Sequence, residues 1–212
     1  MDGAKTIKYS FESKKINRVF KFLTLSDFLI LGGFGLILPI FAIFITEQIP
    51  GAGIEVVGLA EAVYLAVRSI SQIPFGHLID KIKGEKDDFW FLLLGSMLIS
   101  FVPIMYIFVD SPAKLYAVQF FYGLVGGATF PTWYAIFTRH IDKEKAGIEW
   151  GLYQTMADMS TALFSALGGF LVSKFNFKLI FILVSCMSFI GSLSIMGIYS
   201  KMKPGKVLYR QE

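Results

Sequence analysis

Apolar residues in this chain fall in long blocks and not in alternation. Six stretches dominated by Phe, Leu, Ile, Val and Gly run roughly over 24–46, 56–79, 88–109, 114–138, 146–173 and 177–200. The hydrocarbon core of a bilayer needs about 20 such residues per helix. The pattern therefore predicts an all-α membrane protein of six transmembrane helices. The polar connections between blocks are short, so neighbouring helices run antiparallel.

A different pattern precedes the first block. Ile16, Val19, Phe20 and Leu23 recur at i, i+3, i+4 and i+7, with Lys14, Lys15, Arg18 and Lys21 around them. Apolar residues on one face and Lys and Arg on the other mark a helix lying in the membrane surface. Such a short surface helix is expected here, in preference to an N-terminal extension of the first span. The chain then divides into a cytoplasmic amphipathic segment (1–23), a transmembrane domain (24–200) and a basic tail (201–212).

Composition agrees. Hydrophobic residues make up 55% of the 212, and Phe alone contributes 22. A net charge of +4 would hint at nucleic acid in a soluble protein. Here the basic residues are sorted by side. One side carries Lys5, Lys8, Lys14, Lys15, Arg18 and Lys21, then Lys81, Lys83 and Lys86, then Arg139, Lys143 and Lys145, and finally Lys201, Lys203, Lys206 and Arg210. The other side has Lys114, Lys174 and Lys178. The positive-inside rule explains this distribution and places both termini in the cytoplasm, in a cell (inner) membrane. No nucleic-acid partner is implied.

Several chemistries find no support. Cys186 is the single cysteine, so no intrachain disulfide forms. His77 and His140 lie far apart without acidic or thiol neighbours at ligand spacing, so no metal site is expected. No phosphate-cradling G-x-x-x-x-G-K-[ST] loop occurs. No hydrolytic triad is evident, no cofactor is implied, and no cleavage site for a secretory signal follows the first apolar run. The chain is not expected to be an enzyme.

The most specific motif follows the second span: Gly76-His77-Leu78-Ile79-Asp80-Lys81-Ile82-Lys83-Gly84-Glu85-Lys86. It resembles the G-x-L-x-D-[RK]-x-G-[RK] loop of the major facilitator superfamily, matching through Lys81 and then placing its second Gly one residue late. The resemblance implies that Gly76 allows close helix contact. It also implies that Asp80, with Lys81 beside it, caps the positive end of a helix from the other half of a transporter. Breaking that contact would open the cytoplasmic gate.

Other stretches carry the same resemblance. Gly33-Phe34-Gly35 followed by Pro39 is similar to the family's first-helix pattern. The segment Gln119 to Gly123, running on to Gly127 and Pro131, resembles the fourth-helix motif R-x-x-x-G, with Gln119 in place of the Arg tied to proton coupling. That proton route is therefore not implied. Phe164-Ser165 stands where the antiporter signature has Gly-Pro, so drug antiport is not implied either.

The resemblance covers about residues 22–200 and six of the usual twelve spans. It implies one half of the major facilitator fold, built from two three-helix inverted repeats. Gly35-x-x-x-Pro39 ahead of Phe41-Ala42-Ile43-Phe44, and Gly127-x-x-x-Pro131 ahead of Tyr134-Ala135-Ile136-Phe137, hint at that repeat. Two uses of these glycines stay open: lining a cavity, or close packing of helices at Gly123-x-x-x-Gly127.

Ionisable residues inside spans cost about 2.5–3.5 kcal/mol each at mid-bilayer on insertion scales. The second span carries Glu61, Tyr64, Arg68 and Gln72 on one helical face. The fifth carries Gln154, Asp158, Thr161 and Ser165 on one face. Arg68 and Asp158 both lie roughly 18 Å deep. Two polar stripes at matched depth are expected to face protein. Glu61, Arg68, Gln72, Gln119, Gln154 and Asp158 are the candidate substrate or proton residues. A purely structural Arg68–Asp158 pair is the alternative. Asp27, Glu47 and Glu55, near span ends, are expected to be solvated and without a role. Glu149 and Trp150 are candidates for contact with a partner half.

In the resemblance, helices 1 and 4 line the cavity and helices 2 and 5 meet the opposite half. A six-helix unit then needs a second copy to cover its polar face. The expected function is secondary transport of a small solute, with or without a proton, by a parallel homodimer working through alternating access. The alternative is a non-transporting scaffold, or the partner half of a hetero-assembly.

Overall fold

The computed structural model describes residues 17–81 and 84–203. The amphipathic residues 1–16, including Ile16, together with Lys83 and the basic tail from residue 204, lie outside the described residues. The chain forms α1 (Arg18–Ile37), α2 (Phe41–Gln48), α3 (Ile54–Lys81), α4 (Glu85–Tyr106), α5 (Pro112–His140), α6 (Ala146–Val172) and α7 (Phe177–Ser194). A 3₁₀ segment, Ile195–Lys201, continues α7.

Two expectations need correction at the N-terminal end. Residues 18–23 are not a separate surface helix but the first turns of α1. Asn17 starts the helix, its side-chain oxygen accepting from the Val19 N–H at 3.0 Å. Val19, Phe20 and Leu23 then pack with Phe89, Leu92, Trp133, Ile136, Phe137 and Ile198. Burial against α4, α5 and the 3₁₀ segment outweighs a position at the headgroups, so the apolar face turns inward. The first span is also not one helix. It stops at Ile37 and restarts at Phe41, because Pro39 has no N–H to continue the ladder and its ring crowds the preceding turn. Pro74, Pro103 and Pro131 are tolerated inside α3, α4 and α5, as membrane helices permit where neighbours compensate the lost bond.

α3 packs on α5, α1 on α6 and α7, and α4 on α5 and α7. Small residues set the distances. A Cβ on Gly168 of α6 would stand 2.1 Å from the Leu36 carbonyl oxygen of α1, so only glycine fits there. Two serines of α6 bond across the same seam, Ser160 Oγ to the Phe28 carbonyl at 2.5 Å and Ser165 Oγ to the Gly35 carbonyl at 3.0 Å. Such interhelical bonds act as polar glue where no water competes.

Among the described residues, four helical stretches are long and apolar enough to cross a bilayer: Arg18–Ile37, Glu85–Tyr106, Ala146–Val172 and Phe177–Lys201. α3 and α5, with 28 and 29 residues, are about 42 Å long and ample in length. Their lower apolar content comes from Glu61, Arg68 and Gln72 in α3, and from the Gly, Thr and Tyr residues of α5. α6 buries just Ala157, Ser160 and Gly168, and α3 is similarly sparse. These two helices stand on the outside of the bundle.

Candidate functional site

Two cavities stack along the bundle axis. The first, of about 420 Å³, is bounded by Phe34, Phe41, Val57, Glu61, Tyr64, Tyr106, Gln119 and Tyr122. It lies toward the α3 and α5 N-termini. Gln119 is buried, and its side-chain oxygen accepts from the Tyr106 hydroxyl at 2.9 Å. A neutral amide with its oxygen hydrogen-bonded thus occupies the place where the motif has Arg. Glu61 is exposed at the edge of this cavity.

The second cavity, of about 240 Å³, lies toward the opposite ends of the same helices. Its wall includes Asp27 of α1, Ser96 of α4, Thr129, Phe130, Trp133 and Tyr134 of α5, and Tyr153 of α6. Phe34 and Tyr122 border both cavities. Their rings stack at 5.5 Å, and Tyr122 stacks in turn on Tyr64 at 4.4 Å. Three aromatic side chains from α1, α5 and α3 therefore form the partition between the chambers.

Arg68 abuts this partition. Its Nη1 donates to the Tyr64 hydroxyl at 2.9 Å, and its guanidinium lies 5.1 Å from the ring centres of both Tyr64 and Phe130. Its Nε is buried without a hydrogen-bond partner. No carboxylate pairs with it among the described residues. A cation held by aromatic faces and one hydroxyl retains capacity for an anionic group.

The remaining candidates are dispersed. Asp158 is exposed on α6 and accepts from Gln154 Nε2 at 2.8 Å on the same face. Within the chain it does not reach Arg68, because α6 packs on α1 whereas α3 packs on α5. Gln72 is half-buried, one turn beyond Arg68. Gly123 and Gly127 lie against the α3 backbone at Tyr64 and Arg68, and Gly35 lies against Thr161. Pro39 sits at the break of the first span, and Pro131 faces Gly76 across α3 and α5. Asp80 and Lys81 are exposed at the end of α3.

Sequence reasoning missed Asp27. Expected to be solvated, it instead lines the second chamber and accepts from the Tyr153 hydroxyl at 2.8 Å. It also missed a clasp at the same end of the bundle. There Arg139 Nη1 donates to Asp88 at 2.6 Å, and the Asn17 side chain donates to the His140 carbonyl at 2.7 Å. Glu149 turns back within its own chain, accepting from the Asp142 N–H at 3.1 Å, and Trp150 packs on Phe137.

Long apolar helices enclosing aromatic-lined chambers with a few polar groups mark a multi-pass membrane protein. The sequence model of the Major Facilitator Superfamily matches residues 23–210, and the chain belongs to that family. It is 22% identical over 155 residues to "Uncharacterized transporter YybO" of Bacillus subtilis (strain 168), across 73% of this chain and 35% of that protein. Its fold is similar to the in meso crystal structure of the POT family transporter PepTSo, with a TM-score of 0.68 at 16% identity, over 91% of this chain and 40% of that one. The chain thus spans little more than a third of the length of these relatives.

Proposed function

We propose that the chain is a secondary active transporter of a small solute, working by alternating access as a parallel homodimer. One observation carries the reading: the two outermost helices, α3 and α6, hold Arg68 and Asp158 without a counter-charge among the described residues. Charges left in lipid are costly, so a second copy that covers both faces is favoured. Arg68 then pairs with Asp158 across the two-fold axis, or binds an anionic group of the solute. Glu61, at the first chamber, carries a proton where one is coupled. Gln72, Gln119 and Gln154 supply hydrogen bonds, and Gly76, Asp80 and Lys81 form the gate.

The packing scheme supports six spans arranged as two inverted repeats. With α1 and α2 as one span and α7 extended by its 3₁₀ segment, exchanging the first three spans for the last three leaves the main pairings unchanged. α3 on α5 becomes α6 on α1, and α1 on α7 becomes α5 on α4. The α4–α7 contact maps onto itself. The basic side, which holds both ends of the described chain, is placed in the cytoplasm.

Native mass spectrometry in lipid nanodiscs tests the dimer, and spin-label distances between cytoplasmic helix ends test alternating access. Two copies with two distance populations are expected. A strictly monomeric protein that transports in liposomes overturns the dimer. A dimer with a single fixed spacing favours the scaffold alternative.

A further inference from the structure

The second chamber holds one acidic side chain, Asp27, in a wall otherwise free of Asp, Glu, Lys, Arg and His. Tyr153 gives its carboxylate one hydrogen bond, on Oδ2. No basic residue pairs with it among the described residues. A carboxylate drawn out of water is stable when a counter-charge completes it. Aromatic rings from α5 and α6 line the same chamber: Phe130, Trp133, Tyr134 and Tyr153. Ring faces attract cations, and a carboxylate within an aromatic wall is the chemistry that recognises an ammonium group. Phe130 already demonstrates this at the chamber's edge, with the Arg68 guanidinium 5.1 Å from its ring centre.

We infer that this chamber binds an organic cation, an ammonium group on a compact apolar body, with Asp27 as its counter-ion and the α5–α6 rings as its wall. Thr129 adds a hydroxyl to the lining, although its Oγ1 donates to the Val125 carbonyl at 2.8 Å. It is therefore left able to accept and not to donate, which again suits a ligand bearing N–H or N–CH₃ groups. The volume of about 240 Å³ limits the body to a single small ring or short chain. The inference rests on the transport reading for its purpose, since it names the substrate class, but not for its binding chemistry.

Calorimetry on the purified protein in nanodiscs, with benzyltrimethylammonium as probe, tests it. The parent should bind the cation saturably, and benzenesulfonate, an anion of like size, should not displace it. Asp27→Asn should lose at least tenfold in affinity, while Asp27→Glu keeps most of it. Tyr134 is 52% exposed, so Tyr134→Ala leaves the fold intact and should still lose several-fold. That variant decides the matter if Asp27→Asn does not fold. No saturable binding by the parent, displacement of the cation by benzenesulfonate, or full affinity in Tyr134→Ala overturns the inference. Binding in a protein that shows one fixed conformation would leave this site standing and remove transport. Two conformations without cation binding would do the reverse.

Discussion

Gly123 of α5 faces the backbone of Tyr64 on α3 so closely that a Cβ there would stand 2.6 Å from the Tyr64 carbonyl oxygen. Backbone cannot yield as a flexible side chain does. Gly123→Val should push α3 away from α5 and destabilise the protein by about 1–3 kcal/mol, the range for overpacking. It should also disturb the Tyr64–Tyr122 stack, which joins this same Tyr64 to the residue beside Gly123. Gly58 is the control, because nothing lies within 4 Å of a Cβ built on it. Gly58→Ala should stabilise α3 by roughly 0.5–1 kcal/mol. Thermal unfolding in detergent compares the two, and equal melting points would refute the packing role.

The clasp between Asp88 and Arg139 is asymmetric. The Asp88 side chain is 2% exposed and the Arg139 side chain 38%. Arg139→Ala leaves a buried carboxylate without its cation and should cost about 3 kcal/mol, the low end for a broken buried pair because Arg139 is partly solvated. Asp88→Asn leaves an arginine that can turn to water, and should cost about 1 kcal/mol. Chemical unfolding of both variants checks the order, and a larger loss for Asp88→Asn would contradict it.

What the sequence discloses here follows from what is local. Block hydrophobicity is a property of neighbouring residues, so the all-helical character was legible, as was the motif from Gly76 to Lys81. The break at Pro39 was harder, because Pro74, Pro103 and Pro131 sit in helices without ending them. Each proline opens a gap in the ladder, and tertiary neighbours decide whether the helix continues across it. The start of α1 depended on Val19, Phe20 and Leu23 finding Trp133 and Phe137, more than a hundred positions away. Asp27 was misjudged for the same reason. Read from a span starting at residue 24, it sits at the water boundary. From a helix starting at Arg18, it lies about 14 Å in, and its partner Tyr153 belongs to another helix.

Asp80 occupies the C-terminal end of α3, where the helix's own dipole disfavours a carboxylate. It is exposed, and no basic side chain pairs with it among the described residues. If it caps a helix N-terminus of the opposite copy, Asp80→Asn should shift the population toward the inward-facing state by about 1 kcal/mol, the scale of a charge at a helix end. Spin labels across the cytoplasmic face read this as a change in the ratio of short to long distances. An unchanged ratio removes Asp80 from the gate.

Arg68 and Asp158 provide the sharpest separation between transport and scaffold. Among the described residues, Arg68 has one hydroxyl partner and a buried, unpartnered Nε, and Asp158 is held by Gln154 alone. If they pair across the dimer axis, removing either charge strands the other, at a cost of several kcal/mol. Arg68→Ala and Asp158→Ala should each weaken the dimer, and the double variant should assemble better than either single one. That outcome is a non-additive cycle, readable as dimer dissociation constants in nanodiscs. A pair that holds the halves together and does nothing more predicts that the double variant also recovers two distance populations on the cytoplasmic face. A pair that gates or meets the solute predicts a dimer that assembles in one conformation. If both single variants assemble and exchange conformations like the parent, the two residues do not meet, and the polar faces of α3 and α6 are covered by something other than a second copy.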